Sequence, residues 1–148
     1  MRKLLLACVV LLIWPVIAFA GSKEDAFQVV EQFQKTYGAC DEGGLVKLFT
    51  SEPVFLPTVS PILMTKTDQI AKYFQGLSQM RSCSVVIDEY ATIPVSENAV
   101  LFAGLNTFSR TDKDGKVFTT PARFTLLITR TDQGWRVSHF HSSARPTS

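Results

Sequence analysis

Residues 95–142 read VSENAVLFAGLNTFSRTDKDGKVFTTPARFTLLITRTDQGWRVSHFHS, a pattern of long strands separated by tight turns. Three stretches within it are rich in apolar and β-branched residues: 95–110, 117–130 and 135–142. Residues 112–115 and 132–134 lie between these stretches and have the composition of hairpin turns. Another β-branched stretch, residues 82–90, precedes them. The second half of the chain therefore predicts four antiparallel strands in hairpin succession.

Helical spacing of apolar residues characterises the first half of the chain, in three stretches: 24–37, roughly 42–49 and 67–79. Ser22, Asp41 and Thr67 are the predicted N-caps of these helices. Gly38 is the predicted end of the first helix. A short apolar run bounded by prolines, residues 54–56, predicts a short strand or an extended segment before the third helix. This order predicts an α+β fold in which three N-terminal helices pack on a curved antiparallel sheet.

The first 20 residues have the pattern of a secretory signal peptide. Two basic residues precede an unbroken apolar run, residues 4–13, and Ala18-Phe19-Ala20 matches a signal-peptidase site. A retained membrane anchor and a lipid anchor on Cys8 are the alternatives, but the apolar run is short for a membrane span. We expect cleavage after Ala20, a mature domain of residues 21–148 without a membrane partner, and a periplasmic or secreted location.

Length and charge argue against a multidomain protein and against a nucleic-acid-binding protein. The chain has 148 residues, which suggests one domain, with 15 basic and 13 acidic residues. Removal of Arg2 and Lys3 with the signal peptide leaves 13 basic residues, equal to the 13 acidic ones. A balanced charge argues against a nucleic-acid partner.

Two cysteines remain in the mature chain, Cys40 and Cys83. In an oxidising compartment such a pair predicts a disulfide, and two separate buried thiols are the alternative. No CxxC pair is present, which argues against a zinc site.

Three strings resemble one known family: 135–146 (WRVSHFHSSARP), 112–115 (DKDG) followed by Ala122-Arg123, and 55–60 (FLPTVS). With the order of elements, they make residues 24–146 similar to the NTF2-like (cystatin-like) superfamily. Within it, the chain resembles the association, or hub, domain of calcium/calmodulin-dependent protein kinase II and its bacterial stand-alone SnoaL-like relatives. The resemblance implies an α+β cone, a pocket between the sheet and the helices, and self-association through the sheet.

The same resemblance implies a ligand site, because arginines in the pocket of the kinase hub hold carboxylates. Arg123 matches one of these positions, whereas Asn106 and Ser142 occupy two others. Arg123 begins an apolar strand, and burial of an unpaired guanidinium is costly. We expect it to bind a ligand carboxylate, or else to pair with Asp88 or Glu89 or to lie at the surface.

Tyrosine and histidine side chains are the remaining candidates for chemistry. Tyr37 and Tyr73 lie on predicted helices, from which a hydroxyl can reach a pocket. A ketosteroid-isomerase type of site also needs a carboxylate base, and residues 56–58 (LPT) supply none where such an enzyme places it. His139 and His141 share one face of a strand, where they can transfer protons, stabilise an interface or bind a metal. Because no nearby carboxylate offers a third ligand, we expect neither a metal nor a cofactor.

Three functions follow from these observations, and whether the protein catalyses a reaction stays open. The first is an exported, non-catalytic module that binds a small acidic or apolar ligand or associates with itself. The second is a SnoaL-like or isomerase-type enzyme that acts on a small carbonyl compound with Tyr and His as acid and base. The third is a structural or inhibitory protein that binds another protein through its sheet. Apolar residues on both faces of 124–128 favour a homodimer or larger ring through the sheet face.

Overall fold

The computed structural model describes residues 16–146, which form three α-helices, a 3-10 helix and five strands. In chain order these are α1 (Val16–Gly38), α2 (Glu42–Lys47), β1 (Phe49–Leu56), α3 (Thr67–Phe74), the 3-10 helix (Leu77–Gln79), β2 (Ser82–Ser96), β3 (Ala99–Thr111), β4 (Val117–Thr131) and β5 (Gly134–Ala144). The predicted α+β class is confirmed. Residues 1–15 of the predicted signal peptide, with Cys8, lie outside the described residues. In the part that is described, no helix is both long and apolar enough to cross a membrane.

The five strands form one sheet in the order β1-β5-β4-β3-β2. β2 to β5 pair antiparallel in hairpin succession, as predicted. β1 pairs parallel with β5, with Val54 opposite His139 and Leu56 opposite His141. The expectation of a purely antiparallel sheet is therefore wrong at this edge. A strand followed by a helical crossover can join the far edge of a sheet, which a hairpin cannot do.

The helices differ from the predicted set at several ends. α1 begins at Val16, so Ser22 lies inside this helix and is not its N-cap. Thr67 is the first residue of α3 rather than its cap. α3 ends at Phe74 because Gly76 adopts a left-handed φ of 93°, and the 3-10 helix follows as a separate element. The third helix also follows β1, so the three helices do not all precede the sheet.

Between α1 and β1, the end of α1 and the N-cap of α2 agree with the prediction, whereas the end of α2 and the start of β1 do not. α1 ends at Gly38, and the Asp41 carboxylate accepts a hydrogen bond from the Gly44 amide at 2.8 Å, as an N-cap does. β1 begins at Phe49, which was expected in the second helix. Pro53 lies within β1, which tolerates a missing amide hydrogen because it is an edge strand.

One face of the sheet, the inner face, packs against α1 and carries the core. Its buried side chains alternate along the strands with those of the opposite, outer face. Phe33 of α1 packs edge-on against Phe140 of β5, with ring centroids 5.6 Å apart. Phe102 and Ile128, from β3 and β4, are almost completely buried in the same layer.

The predicted disulfide is present between Cys40 and Cys83, whose Cα atoms are 5.5 Å apart. Cys40 lies in the turn between α1 and α2, with a left-handed φ of 52°. Cys83 is the second residue of β2 and pairs across the ladder with Arg110. The bond therefore joins the end of α1 to the edge of the sheet.

Candidate functional site

A cavity of about 200 Å³ lies between the inner face of the sheet, the end of α1 and the segment from β1 to the 3-10 helix. Aromatic side chains form a large part of its walls: Phe33, Tyr37, Phe55, Tyr73, Phe74, Phe108 and Phe140. Hydroxyl groups of Thr58 and Ser142 lie on the same wall and hydrogen-bond to each other at 2.5 Å. This composition, apolar walls with a few polar groups, is typical of small-molecule sites.

Arg110 is the only charged side chain among the described residues that line this cavity. It lies near the end of β3, where strand alternation places Asn106, Phe108 and Arg110 on the inner face. Within the described residues, its guanidinium has neither a carboxylate partner nor a hydrogen bond. A cation on an apolar wall with unused donors is suited to an anionic ligand.

Tyr37 and Tyr73 lie close enough to Arg110 for its charge to act on both phenols. Burial raises the pKa of Tyr37 to about 12, and Arg110 opposes this shift. Burial likewise raises the pKa of Tyr73, again against the charge of Arg110. Both phenols therefore stay neutral at physiological pH and can donate hydrogen bonds to a ligand oxygen.

The raised pKa of Tyr37 predicts a late step in an alkaline titration. Phenolate absorbance is followed against pH in wild type and in Tyr37→Phe, and the difference between the two curves reports on Tyr37 alone. We expect this difference to have its midpoint near pH 12. Because the unfolded chain releases this proton near the ordinary pKa of 10.0, the stabilising contribution of Tyr37 is complete below pH 10 and is lost between pH 10 and about 12. A difference titration centred at pH 10 while the protein is still folded would show that Tyr37 is not buried.

The structure brings only some of the predicted ligand residues to the cavity. Tyr37 and Ser142 line it, and Asn106 lies on the inner face next to it. Arg123 lies on the outer face, because its neighbours Ala122 and Phe124 are buried on the inner one. The expected place of Arg123 in the pocket between sheet and helices is therefore wrong.

The neighbours of Arg123 also differ from those predicted. Its Nε donates a hydrogen bond to Ser143 Oγ at 3.0 Å. Asp88, one of the two expected acidic partners, instead forms an ion pair with Arg145. Arg123 is thus exposed on the outer face, in agreement with the surface alternative, and within the described residues it forms no salt bridge with Asp88 or Glu89.

His139 and His141 also lie on the outer face, opposite Leu127 and Thr125 of β4. Burial lowers the pKa of His139, and the charge of His141 lowers it further. In the described part of the chain, no group of three or more His, Cys, Asp or Glu side chains lies close enough together to hold a metal. Neither imidazole reaches the cavity.

Sequence reasoning missed Arg110, although a signal for it exists. Arg110 follows Asn106 at a spacing of four, so the two share a face of β3. Arg110 directly precedes the turn at 112–115, and charged residues next to turns are usually solvated. Phe108, two residues earlier on the same face, packs against the core and fixes the direction of Arg110, and that contact is visible only in the tertiary structure.

The curved sheet, the helix packed across it and the cavity between them define an NTF2-like, cystatin-like α+β fold. A protein from Novosphingobium aromaticivorans described as a candidate scytalone dehydratase shares this fold, with a TM-score of 0.80, 11% identity, and coverage of 90% of this chain and 91% of that one. An NTF2-like superfamily protein from Salmonella enterica has a TM-score of 0.74, 20% identity, and coverage of 87% and 94%.

The family model of the calcium/calmodulin dependent protein kinase II association domain matches residues 22–146, and the chain belongs to this family. A solved structure from Xanthomonas campestris, described as a candidate association domain of that kinase, is 26% identical. Its TM-score is 0.75, and the similarity covers 82% of this chain and 86% of that one. The search of curated proteins found no match.

Proposed function

We propose that the protein is a small-molecule binding module that holds a carboxylic acid with an apolar body in the aromatic cavity. The observation that carries this proposal is Arg110, the charged lining residue, whose guanidinium has no partner among the described residues. A guanidinium presents paired donors that match the two oxygens of a carboxylate. The aromatic walls would cover the apolar body of the same ligand.

The neutral phenols of Tyr37 and Tyr73 support the same kind of ligand. Each can donate one hydrogen bond to an oxygen that Arg110 already attracts. The resemblance to the kinase hub domain agrees with a carboxylate, although the arginine that we propose is Arg110 and not Arg123. The hydrogen-bond donors in the cavity therefore favour a carboxylate, and the apolar walls around them favour an apolar body on the same ligand.

The alternative function is an isomerase-type enzyme that acts on a small carbonyl compound. Its support is the pair of neutral tyrosines, because such phenols can stabilise an oxyanion in an apolar site. Proton abstraction would need a base, and the residues that line the cavity include neither a carboxylate nor an imidazole. His139 and His141, the bases expected from sequence, lie on the other side of the sheet. We therefore place binding first.

Replacement of Arg110 tests the binding proposal. Calorimetric titration with phenylacetate should show that Arg110→Gln weakens binding by about 10- to 100-fold, since hydrogen bonds to charged groups contribute about 1.5–3 kcal/mol. Arg123→Gln is the matched control, because it removes the same charge from the outer face. We expect it to bind as wild type does. If Arg123→Gln weakens binding and Arg110→Gln does not, the site lies on the outer face and the proposal is wrong.

We further propose that the protein self-associates through the outer face of the sheet. Leu101, Leu105 and Leu127 are half-buried there, and Ile93 is exposed beside them. This row of apolar residues crosses three strands, and a second copy would remove it from water. Membership of an association-domain family suggests oligomerisation in general. The choice of the sheet face and of a dimer or ring is our proposal.

Sedimentation of the protein at micromolar concentration tests self-association. We expect a dimer or larger species for wild type and mostly monomer for Leu105→Arg, because a charge would then be buried at the interface. Ile62→Arg introduces the same charge on the exposed loop after β1 and should leave the assembly intact. A monomeric wild type, or equal effects of both variants, would contradict an interface at the sheet.

We also propose export, with removal of residues 1–20. The Cys40–Cys83 disulfide supports an oxidising compartment, where such bonds persist. α1 begins at Val16, so cleavage would shorten this helix at its start. Mass spectrometry of protein recovered from the periplasm should find Gly21 at the N-terminus. A chain that retains residues 1–20 would contradict cleavage.

A further inference from the structure

Asn106 is a buried polar residue whose side-chain oxygen is unused. It lies on the inner face of β3 and is only 3% exposed. Its Oδ1 atom has no hydrogen-bond partner among the described residues. Buried polar atoms are nearly always paired, so an unpaired acceptor at this depth requires a physical explanation.

Asn106 lines a second, smaller cavity of about 20 Å³. The wall around it is largely apolar, and the other polar side chain there is Gln34, whose Nε2 donates to the Val85 carbonyl at 3.4 Å. The small cavity shares three wall residues with the large one: Phe33, Phe108 and Phe140. The two cavities therefore lie side by side along the inner face, with aromatic rings at their boundary.

Asn106 and Arg110 lie on the same strand and face, four residues apart. At about 3.3 Å per residue, their Cα atoms are about 13 Å apart. Both side chains extend from the strand toward the space between the sheet and α1, and Phe108 lies between them. A ligand with its carboxylate on Arg110 would thus direct its opposite end toward Asn106.

We propose that Asn106 is a specificity-determining residue for the ligand, whose end opposite the carboxylate carries a hydrogen-bond donor. This inference rests on the proposed function, because it assumes that Arg110 holds the carboxylate. The acceptor oxygen requires a hydroxyl or amino group, and the three shared rings favour an aromatic body between the two ends. The ligand class is therefore a para-hydroxyaryl or para-aminoaryl carboxylic acid.

A single trapped water is the competing explanation for the unpaired oxygen. A cavity of this size can hold one water, but a buried water makes about three hydrogen bonds. The apolar walls offer few further partners besides Asn106 and Gln34. A ligand hydroxyl needs only one acceptor, since the rest of the molecule is held elsewhere.

Two probes that differ by one hydroxyl group test this inference: phenylacetate and 4-hydroxyphenylacetate. Calorimetric titration of wild type should show binding of both, with the hydroxylated acid about tenfold tighter, because a site built around a polar group discriminates against the analogue that lacks it. Asn106→Leu, which has nearly the same volume, should abolish this preference and leave the affinity for phenylacetate within about twofold of wild type.

The outcomes separate this inference from the proposed function. If wild type binds both acids equally, or if Asn106→Leu retains the preference, Asn106 does not determine ligand specificity. The proposed binding of a carboxylate at Arg110 is unaffected by either result. If neither acid binds wild type, the proposed function fails and this inference fails with it. Should Asn106→Leu not fold, a crystal structure of wild type with 4-hydroxyphenylacetate decides the question. A phenol oxygen within hydrogen-bond distance of Asn106 Oδ1 is expected, and a phenol directed to solvent would overturn the inference.

Discussion

The double substitution Cys40→Ala/Cys83→Ala lowers the free energy of unfolding by about 4 kcal/mol in our account. The disulfide closes a loop with a sequence separation of 43 residues. The loss of chain entropy in the unfolded state for a loop of this length corresponds to about 4 kcal/mol at 25 °C. The bond joins the end of α1 to the edge strand β2, and without it these two elements are held together by packing and by the Gln34–Val85 hydrogen bond.

Urea unfolding of wild type and the double variant measures this difference through the two transition midpoints. Reduction of wild type with a dithiol should cause a shift of similar size and should leave the double variant unchanged. Thiol titration of the unreduced, denatured wild type should find neither Cys40 nor Cys83 free. Two free thiols, or a midpoint that reduction does not change, would contradict the bond.

Phe55→Ala has the second large effect, a loss of about 3–5 kcal/mol in the free energy of unfolding. Phe55 is 2% exposed, and its ring lies 5.3 Å from the ring centroids of Phe49, Tyr73 and Phe140. These rings come from β1, α3 and β5, so the substitution leaves a hole where three elements meet. The surrounding backbone belongs to a sheet edge and a helix, which limits collapse into the hole.

The neighbouring residue provides the control for this substitution. Val54 lies on the opposite face of β1 and is 39% exposed. Val54→Ala should cost less than about 1 kcal/mol, because it removes few buried contacts. Denaturant unfolding of both variants gives the comparison. Equal losses for the two substitutions would mean that Phe55 is not the centre of this packing layer.

The strand pairs that the sequence predicts are those joined by short turns. The signals at 112–115 and 132–134 are local, and β3, β4 and β5 pair as these turns require. The pairing of β1 with β5 depends on contacts between residues about 85 positions apart, such as Val54 and His139. No local sequence pattern predicts which edge of a sheet such a strand will join.

At the candidate site, the sequence likewise does not show which residues of a strand face the core and which face outward. In residues 124–128 nearly every side chain is apolar, so the sequence does not reveal which residues face inward. A shift of one residue moves a whole strand to the other face, and with it Arg123. In the structure Ala122 and Phe124 are buried, which directs Arg123 outward. Tyr37 and Ser142 reach the cavity because a helix end and an inner-face position hold them there.

The most direct test of the central claim is a crystal structure of residues 21–148 grown with phenylacetate. The account predicts a carboxylate within hydrogen-bond distance of the Arg110 guanidinium and a phenyl ring among Phe33, Phe108 and Phe140. A carboxylate bound at Arg123 on the outer face would contradict the assignment of the site. A cavity without ligand, under conditions where titration shows binding, would contradict it equally.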